Sequence, residues 1–541
     1  MARPKYLTQE ELETLLNETD DEDADISDDE CELQEDSLIE TSDSDVEEPD
    51  DIEIDGSADD IEKMAWFISK DGIVWNSEPV TDRSGRLRKE NVITLCPGLT
   101  RFAKNRVDSI KDAFLLFFPS PVENIILKNS NAYAKATYGE NAIEIDSNLL
   151  HASKNENLVD LFDGEYGRPI FRAIMSKKTF QYMSRVMRFD DVMNRRQQKS
   201  TDKFAPIRDL FDKWSELLPD FYNPSECVTV DEQLLGFRDR CKFRQYMPSK
   251  PEKYGIKFWQ LVCSETCYVW KIQPYLGKAV GVDSAEKGQG ARVVLDLIGG
   301  LKGHNVTMDN FFSSYELGQK LLSKGLTMVG TMRKNKRSIP PKLLECKKVP
   351  LYQSTFAFTK DTTLVSYVGR KNKCTILQST MHSSNDVGSG DKKLPEIIEY
   401  YNKTKGGVDT VDKMLSCYSC KRKKNRGPMV VFSNIIDISA LNAFIIFKEV
   451  SPNWQTTQKT TLRRNFLREL GYSLAQPYMD MRKGVPRSES SASLLSASRE
   501  SLQWRVSSPA IQSSSSSISR ESSMSREGSP TLLPSTSFEI P

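Results

Sequence analysis

The chain has 541 residues, long enough for two or three domains and at least one sizeable core. Its 74 Lys and Arg nearly balance its 76 Asp and Glu, but residues 1–62 hold 27 of the acids against Arg3 and Lys5 alone. The remainder carries 72 basic and 49 acidic residues, a net of +23, which suits a polyanionic partner because neutralised phosphates release counterions. A start of Met-Ala-Arg-Pro-Lys-Tyr with no apolar segment, and ten cysteines in so long a chain, argue against secretion and for free thiols in a reducing compartment.

In chain order, residues 1–62 are too acidic and too poor in aromatics to bury a core, and are expected to be a disordered arm. Residues 63–97 read as a linker. Across 98–225 apolar positions recur at three-to-four spacing, which predicts helices over 107–118, 121–138 and 167–189. From 226 the texture becomes β-rich. Strands are expected at 227–235, 257–263 and 267–274, the last two around a turn at 264–266, followed by a helix at 291–301. A strand at 304–309, a helix at 314–323 and a strand at 326–332 complete a β-β-β-α-β-α-β order. Residues 333–395 read as a β-rich insertion, and 396–483 as the second part of the core, with helices at 405–417 and 433–448. The apolar run 430–447 contains Asn434, Asp437 and Asn442, which would be costly in lipid, so a buried helix is expected and no membrane partner. The Ser-rich tail 484–541 repeats Ser-Arg-Glu at 498–500, 519–521 and 525–527. It reads as disordered, either a phosphorylation target or inert. The fold class is mixed α/β: an RNase H-like core with an inserted β-rich domain, preceded by a helical domain and flanked by disordered tails. In such a sheet the first strand is central and the fourth lies beside it, so carboxylates at their ends and one from a late helix converge.

Three acids fit that convergence. Asp231 follows Val228-Thr229-Val230, Asp309 follows Val306-Thr307-Met308, and Asp409 stands in Gly406-Gly407-Val408-Asp409-Thr410-Val411-Asp412. A carboxylate leaving an apolar run needs a partner, and hard divalent cations supply one through oxygen ligands. Each Asp alone reads more readily as a turn residue or helix cap.

Read with their neighbours, these sites resemble the piggyBac transposase family over roughly 100–450. The matching words are Val230-Asp231-Glu232-Gln233-Leu234, Gly236-Phe237-Arg238, Cys241-Lys242-Phe243-Arg244-Gln245-Tyr246-Met247-Pro248 and Lys253-Tyr254-Gly255-Ile256-Lys257. Further words are Asp309-Asn310-Phe311-Phe312-Ser313, Val329-Gly330-Thr331-Met332-Arg333 and Tyr401-Asn402-Lys403-Thr404-Lys405-Gly406-Gly407-Val408-Asp409. The resemblance implies metal-dependent DNA cleavage at transposon ends and joining of the 3′-hydroxyl to TTAA. It makes Asp231, Asp309 and Asp409 the catalytic triad holding two Mg²⁺ or Mn²⁺ ions, with Asp412 a further acid beside it. It also implies double-stranded DNA as partner, a homodimer formed through the helical domain, and a nuclear location. Arg238, Arg240, Lys242, Arg244, Lys250, Lys253 and Lys257, interleaved with Phe243, Tyr246 and Tyr254, suit phosphate contacts plus base stacking. Arg333, Lys334, Lys336, Arg337 and Lys405 are further DNA candidates. The run Lys421, Arg422, Lys423, Lys424 and Arg426 fits either a phosphate clamp or a nuclear localisation signal.

Two departures stand against the family pattern. With no cysteine after Cys420 and no histidine after His382, the C-terminal zinc module of many relatives is not expected. The apolar helix that relatives carry ahead of Gly167 is expected to be shortened or absent in the polar stretch 143–160. These departures keep a second reading open, a domesticated, non-catalytic DNA- or chromatin-binding protein.

Overall fold

The computed structural model of the chain describes residues 66–79, 92–93, 95–139, 142, 161–164, 167–192, 195, 202–277, 286–347, 349–422, 425–455 and 461–483. The expected acidic arm, Ser-rich tail and shortened helix of 143–160 lie outside them.

The expected linker begins with structure instead. β1 (Trp66–Ile68) and β2 (Val74–Asn76) pair antiparallel, Trp66 opposite Asn76. After a short strand, β3 (Gly98–Leu99), come α1 (Arg101–Lys104), α2 (Ile110–Leu115) and α3 (Ser120–Tyr138). The predicted helix over 107–118 is shorter because Ser109 caps α2, accepting from the Asp112 amide. The predicted helix over 167–189 is likewise two helices, α4 (Pro169–Ile174) and α5 (Lys177–Val186), because Ser176 caps the second. Next comes α6 (Arg208–Phe221), which buries Leu210, Phe211, Trp214, Leu218 and Phe221 at the helical spacing, and β4 (Tyr222–Asn223), which pairs with β3. The apolar side chains of α1, α2, α3 and α6 join the cluster that covers the central sheet, whereas those of α4 and α5 form smaller clusters of their own.

That sheet starts with β5 (Cys227–Gly236). Through the loop strand β6 (Arg244–Tyr246) the chain returns as β7 (Tyr254–Cys263), antiparallel to β5, and then β8 (Val269–Pro274), antiparallel to β7. α7 (Gln289–Leu297) leads to β9 (Asn305–Met308), parallel to β5, and α8 (Tyr315–Ser323) to β10 (Thr327–Thr331), parallel to β9. The order β8-β7-β5-β9-β10 places the first core strand centrally and the fourth beside it, as expected.

Residues 333–395 contain β11 (Ser354–Phe358), β12 (Thr363–Arg370) and β13 (Lys373–Ser379). They extend the core sheet, because β13 pairs antiparallel with β10 and β11 takes β2 at Phe358 and Asn76. The hairpin thus completes an 11-stranded sheet, and Trp75 is fully buried among Met332, Ile339, Leu343, Ala357, Leu364 and Ile376.

The predicted helix over 405–417 is α10 (Gly407–Cys417), and a helix that was not predicted, α9 (Glu396–Thr404), precedes it across Lys405-Gly406. α11 (Gly427–Val450) is long and apolar enough to cross a membrane but is buried along most of its length. Its polar residues are all satisfied. Asn434 donates to Gln233, Asp437 accepts from Ser419 and the Cys420 amide, and Asn442 bonds both backbone groups of Val269. α12 (Leu462–Lys483) closes the described chain.

Trp75→Ala is expected to cost roughly 3–5 kcal/mol in urea unfolding, the usual loss for a fully buried Trp. A loss below about 0.5 kcal/mol, typical of a surface position, would show that 66–76 is only a linker.

Candidate active site

The site begins with the register of two strands. β5 and β9 run parallel with Val230 opposite Met308, and β9 ends there. Asp231 and Asp309 therefore emerge from neighbouring backbones roughly 5 Å apart, the ordinary strand spacing. β5 runs past Asp231 beside β7 to Gly236, one residue beyond the expected strand over 227–235. Asp231 stands where its parallel neighbour stops.

Alternation along a strand puts Thr229 and Thr307 on the same face as the two acids. Both reach the end of α9. Thr229 Oγ1 donates to the Thr404 carbonyl at 2.7 Å, and Thr307 Oγ1 lies 2.8 Å from Thr404 Oγ1. Immediately after that anchor Gly407 packs on Thr229, so closely that an added Cβ would sit 2.6 Å from Thr229 Oγ1. α10 starts there with Asp409 in its first turn. The cleft so formed is lined by Thr229, Val230, Asp231, Met308, Asp309, Tyr401, Lys405, Gly406 and Asp409. The three acids separated by 178 residues of chain share its wall.

Burial, followed by the charge of Glu232, pushes the Asp231 carboxyl well above the usual range, with Asp309 adding to the rise. Asp309 is pushed up to about 6 by burial and Glu232, although the Phe311 and Phe312 amides oppose the shift. Asp409 is mostly exposed and pairs with Lys250, whose Nζ lies 3.0 Å from Asp409 Oδ1. Burial favours the neutral amine of Lys250, but the facing charges of Asp231 and Asp409 outweigh it and keep the ammonium. Asp412 is not among the cleft-lining residues. One turn along α10, it accepts from Gln233 Nε2 at 2.9 Å, and burial lifts it to about 7. Gln233 is fixed in turn by Gln260 and Asn434, each donating to its Oε1 at 2.9 Å.

The basic candidates divide. Arg238, Arg240, Lys242, Lys253, Lys334, Arg337 and Lys405 are exposed. Tyr246 and Tyr254 are exposed too, with ring centres 4.8 Å apart, and Arg244 lies over Tyr254. Lys257 sits among the rings of Trp259, Tyr275 and Phe311, while Arg333 bonds Asn310 and Lys336 is half-buried. Lys421 donates to the Gly236 carbonyl and Arg426 to that of Met187, so both cations tie chain segments together. Arg422 is half-buried, and Lys423 and Lys424 lie outside the described residues. The sequence reading missed Thr229, Thr307, Thr404 and Gly407 as positioning residues. For Thr229 and Thr307 the signal was the two-residue offset from Asp231 and Asp309.

The donors are hard carboxylate oxygens, the chemistry that suits Mg²⁺ or Mn²⁺. Two of them, Asp231 and Asp309, are half-buried, and a cation there would offset the loss of solvation that raises both. Among the described residues no three acidic, His or Cys side chains are grouped closely enough to hold an ion as placed.

The strand order, the sense of each pairing and the acidic cleft define an RNase H-like core. A family model described as Transposase IS4 matches residues 110–444, and the chain belongs to this family in its piggyBac-type branch. Among solved structures the chain is similar to a piggyBac transposase, seen by cryo-EM in a synaptic complex with hairpin DNA. The identity is 31% and the TM-score 0.67, covering 78% of this chain and 90% of that one. It is also 29% identical over 236 residues to human PiggyBac transposable element-derived protein 3, and equally to the human Chimeric ERCC6-PGBD3 protein. That segment is 40% of this chain but spans only 39% and 22% of those two relatives.

Gly407→Ala should destabilise the protein by about 1–3 kcal/mol through overpacking on Thr229, measured by urea unfolding. In an open helix position the same change would stabilise, and that sign would contradict the anchoring of α10.

Proposed function

We propose that the chain is a DNA transposase that hydrolyses DNA at transposon ends and joins the freed 3′-hydroxyl to TTAA target sites. One observation carries the reading: Asp231, Asp309 and Asp409, from two strands and a helix, line one open cleft. These carboxylates would hold two divalent ions, Mg²⁺ or Mn²⁺. When bound, such ions lower the pKa of the attacking water or hydroxyl and stabilise the leaving oxygen. Asp231 and Asp309 fix the cleft floor from adjacent backbones, while Asp409 supplies the third carboxylate from the mobile-solvent side. Lys405 offers a cation at the rim for the phosphate backbone. Arg238, Arg240, Lys242 and Lys253, beside Tyr246 and Tyr254, form an exposed basic and aromatic surface on the loops around β6, suited to phosphates and to an unstacked base. The solved relative's complex with hairpin DNA supports this assignment of partner. A homodimer and a nuclear location belong to the same proposal.

A second reading is a transposase-derived protein that binds DNA without cutting it; the human relative's name says only that it is derived from a transposable element. Catalysis separates them. With Mg²⁺ or Mn²⁺ and DNA carrying the repeats that flank its own coding sequence, the protein should cut at the repeat ends. Asp309→Asn should slow cleavage by about a thousandfold, some 4 kcal/mol of barrier, and leave DNA affinity within a few-fold. Equal inertness of wild type and Asp309→Asn, with DNA binding retained, would favour the derived binding protein.

A further inference from the structure

The cleft contains an ion pair for which the proposed chemistry has no role. Lys250 Nζ donates to Asp409 Oδ1 and to the backbone carbonyl of Glu232, each at 3.0 Å. The Lys250 side chain is 16% exposed and that of Asp409 67% exposed, so the ammonium reaches outward from the protein to meet a solvent-facing carboxylate. Its loop is a tight turn, closed by the Lys250 amide on the Met247 carbonyl and by the Met247 amide on the Lys253 carbonyl. The turn therefore presents Lys250 from a fixed backbone. Asp231, Asp409 and Asp412 all act on it electrostatically.

An ammonium facing three carboxylates does the electrostatic work of a bound cation. Asp409 Oδ1 cannot bond that ammonium and a divalent ion with equal strength, and the two cations repel each other at such range. Among the described residues neither Asp231 nor Asp309 has an ion pair at that distance, and as placed no three acids close around one point.

We propose that Lys250 is a gating cation: it holds the Asp409 carboxylate, and a divalent ion completes its ligand set only by displacing that ammonium. The inference rests on Asp231, Asp309 and Asp409 being the ion's ligands, as proposed above. A lysine suits the task because its ammonium is a compact point charge on a flexible stem, able to release its partner without moving backbone. The gate makes metal binding weaker than the three carboxylates alone would allow. It also spares the metal-free cleft an uncompensated cluster of negative charge.

The test is calorimetric titration of Mn²⁺ into the metal-free full chain at fixed ionic strength. Lys250→Met keeps the length and apolar stem of the side chain but removes its charge. It should bind Mn²⁺ with a Kd about tenfold lower than wild type, equivalent to about 1.4 kcal/mol, whereas Asp309→Asn should bind more weakly. A Kd for Lys250→Met equal to or above that of wild type overturns the gate while leaving the ligand assignment intact. Mn²⁺ binding that is unchanged in Asp309→Asn overturns the ligand assignment and the gate with it. A second measurement needs no variant: amine acylation of the wild-type chain, read by peptide mass spectrometry. Saturating Mn²⁺ should accelerate modification of Lys250 several-fold and leave exposed Lys413 unchanged. No acceleration at Lys250 would contradict its displacement.

Discussion

The parallel pairing of β5 with β9 is the constraint on which the site depends. Its register, Val230 opposite Met308, fixes where Asp231 and Asp309 leave the sheet. The same register points Thr229 and Thr307 at one spot, the end of α9, where Thr404 meets both. A one-residue slip would turn all four side chains to the opposite face. The third acid is thus placed by the pairing that places the first two, through two hydroxyls and a glycine contact. Sequence distance between Asp309 and Asp409 is irrelevant once Thr404 is anchored.

Behind the cleft, polar groups in the core hold the arrangement rigid. Gln233, on the strand of Asp231, bonds Asp412 on the helix of Asp409 and is itself held by Gln260 and Asn434. This network ties β5, β7, α10 and α11 together. Such a network is costly when any member is unpaired, which gives a physical reason for Asn434 to interrupt an otherwise apolar helix.

Much of the core was legible because its strands are strongly apolar and its acids follow them directly. The β-β-β-α-β-α-β order, the central first strand and the buried helix around 430–447 were read from pattern. What escaped depends on partners far away in sequence. Trp75 closes a run of only three apolar residues, Ile73-Val74-Trp75, too short to announce a strand until β11 is beside it. The helix break at Ser176 lies inside a run whose apolar periodicity continues across it. α6 carried a clear signal in Leu210, Phe211, Trp214, Leu218 and Phe221, yet was not singled out within the helical region. Lys421 and Arg426 looked like a free basic run because their carbonyl partners, Gly236 and Met187, lie on other elements. Nothing local to Lys250 reveals its pairing with Asp409, 159 positions away.

The central claim is that three distant acids surround one ion-binding cleft, and it can be tested by iron-directed cleavage. Fe²⁺ replaces the divalent ion, and ascorbate with peroxide generates hydroxyl radicals that cut nearby backbone. The account predicts breaks in three separate stretches, beside Asp231, beside Asp309 and across 405–409, all lost together in Asp309→Asn. Breaks confined to one stretch, or unaltered by that substitution, would contradict it.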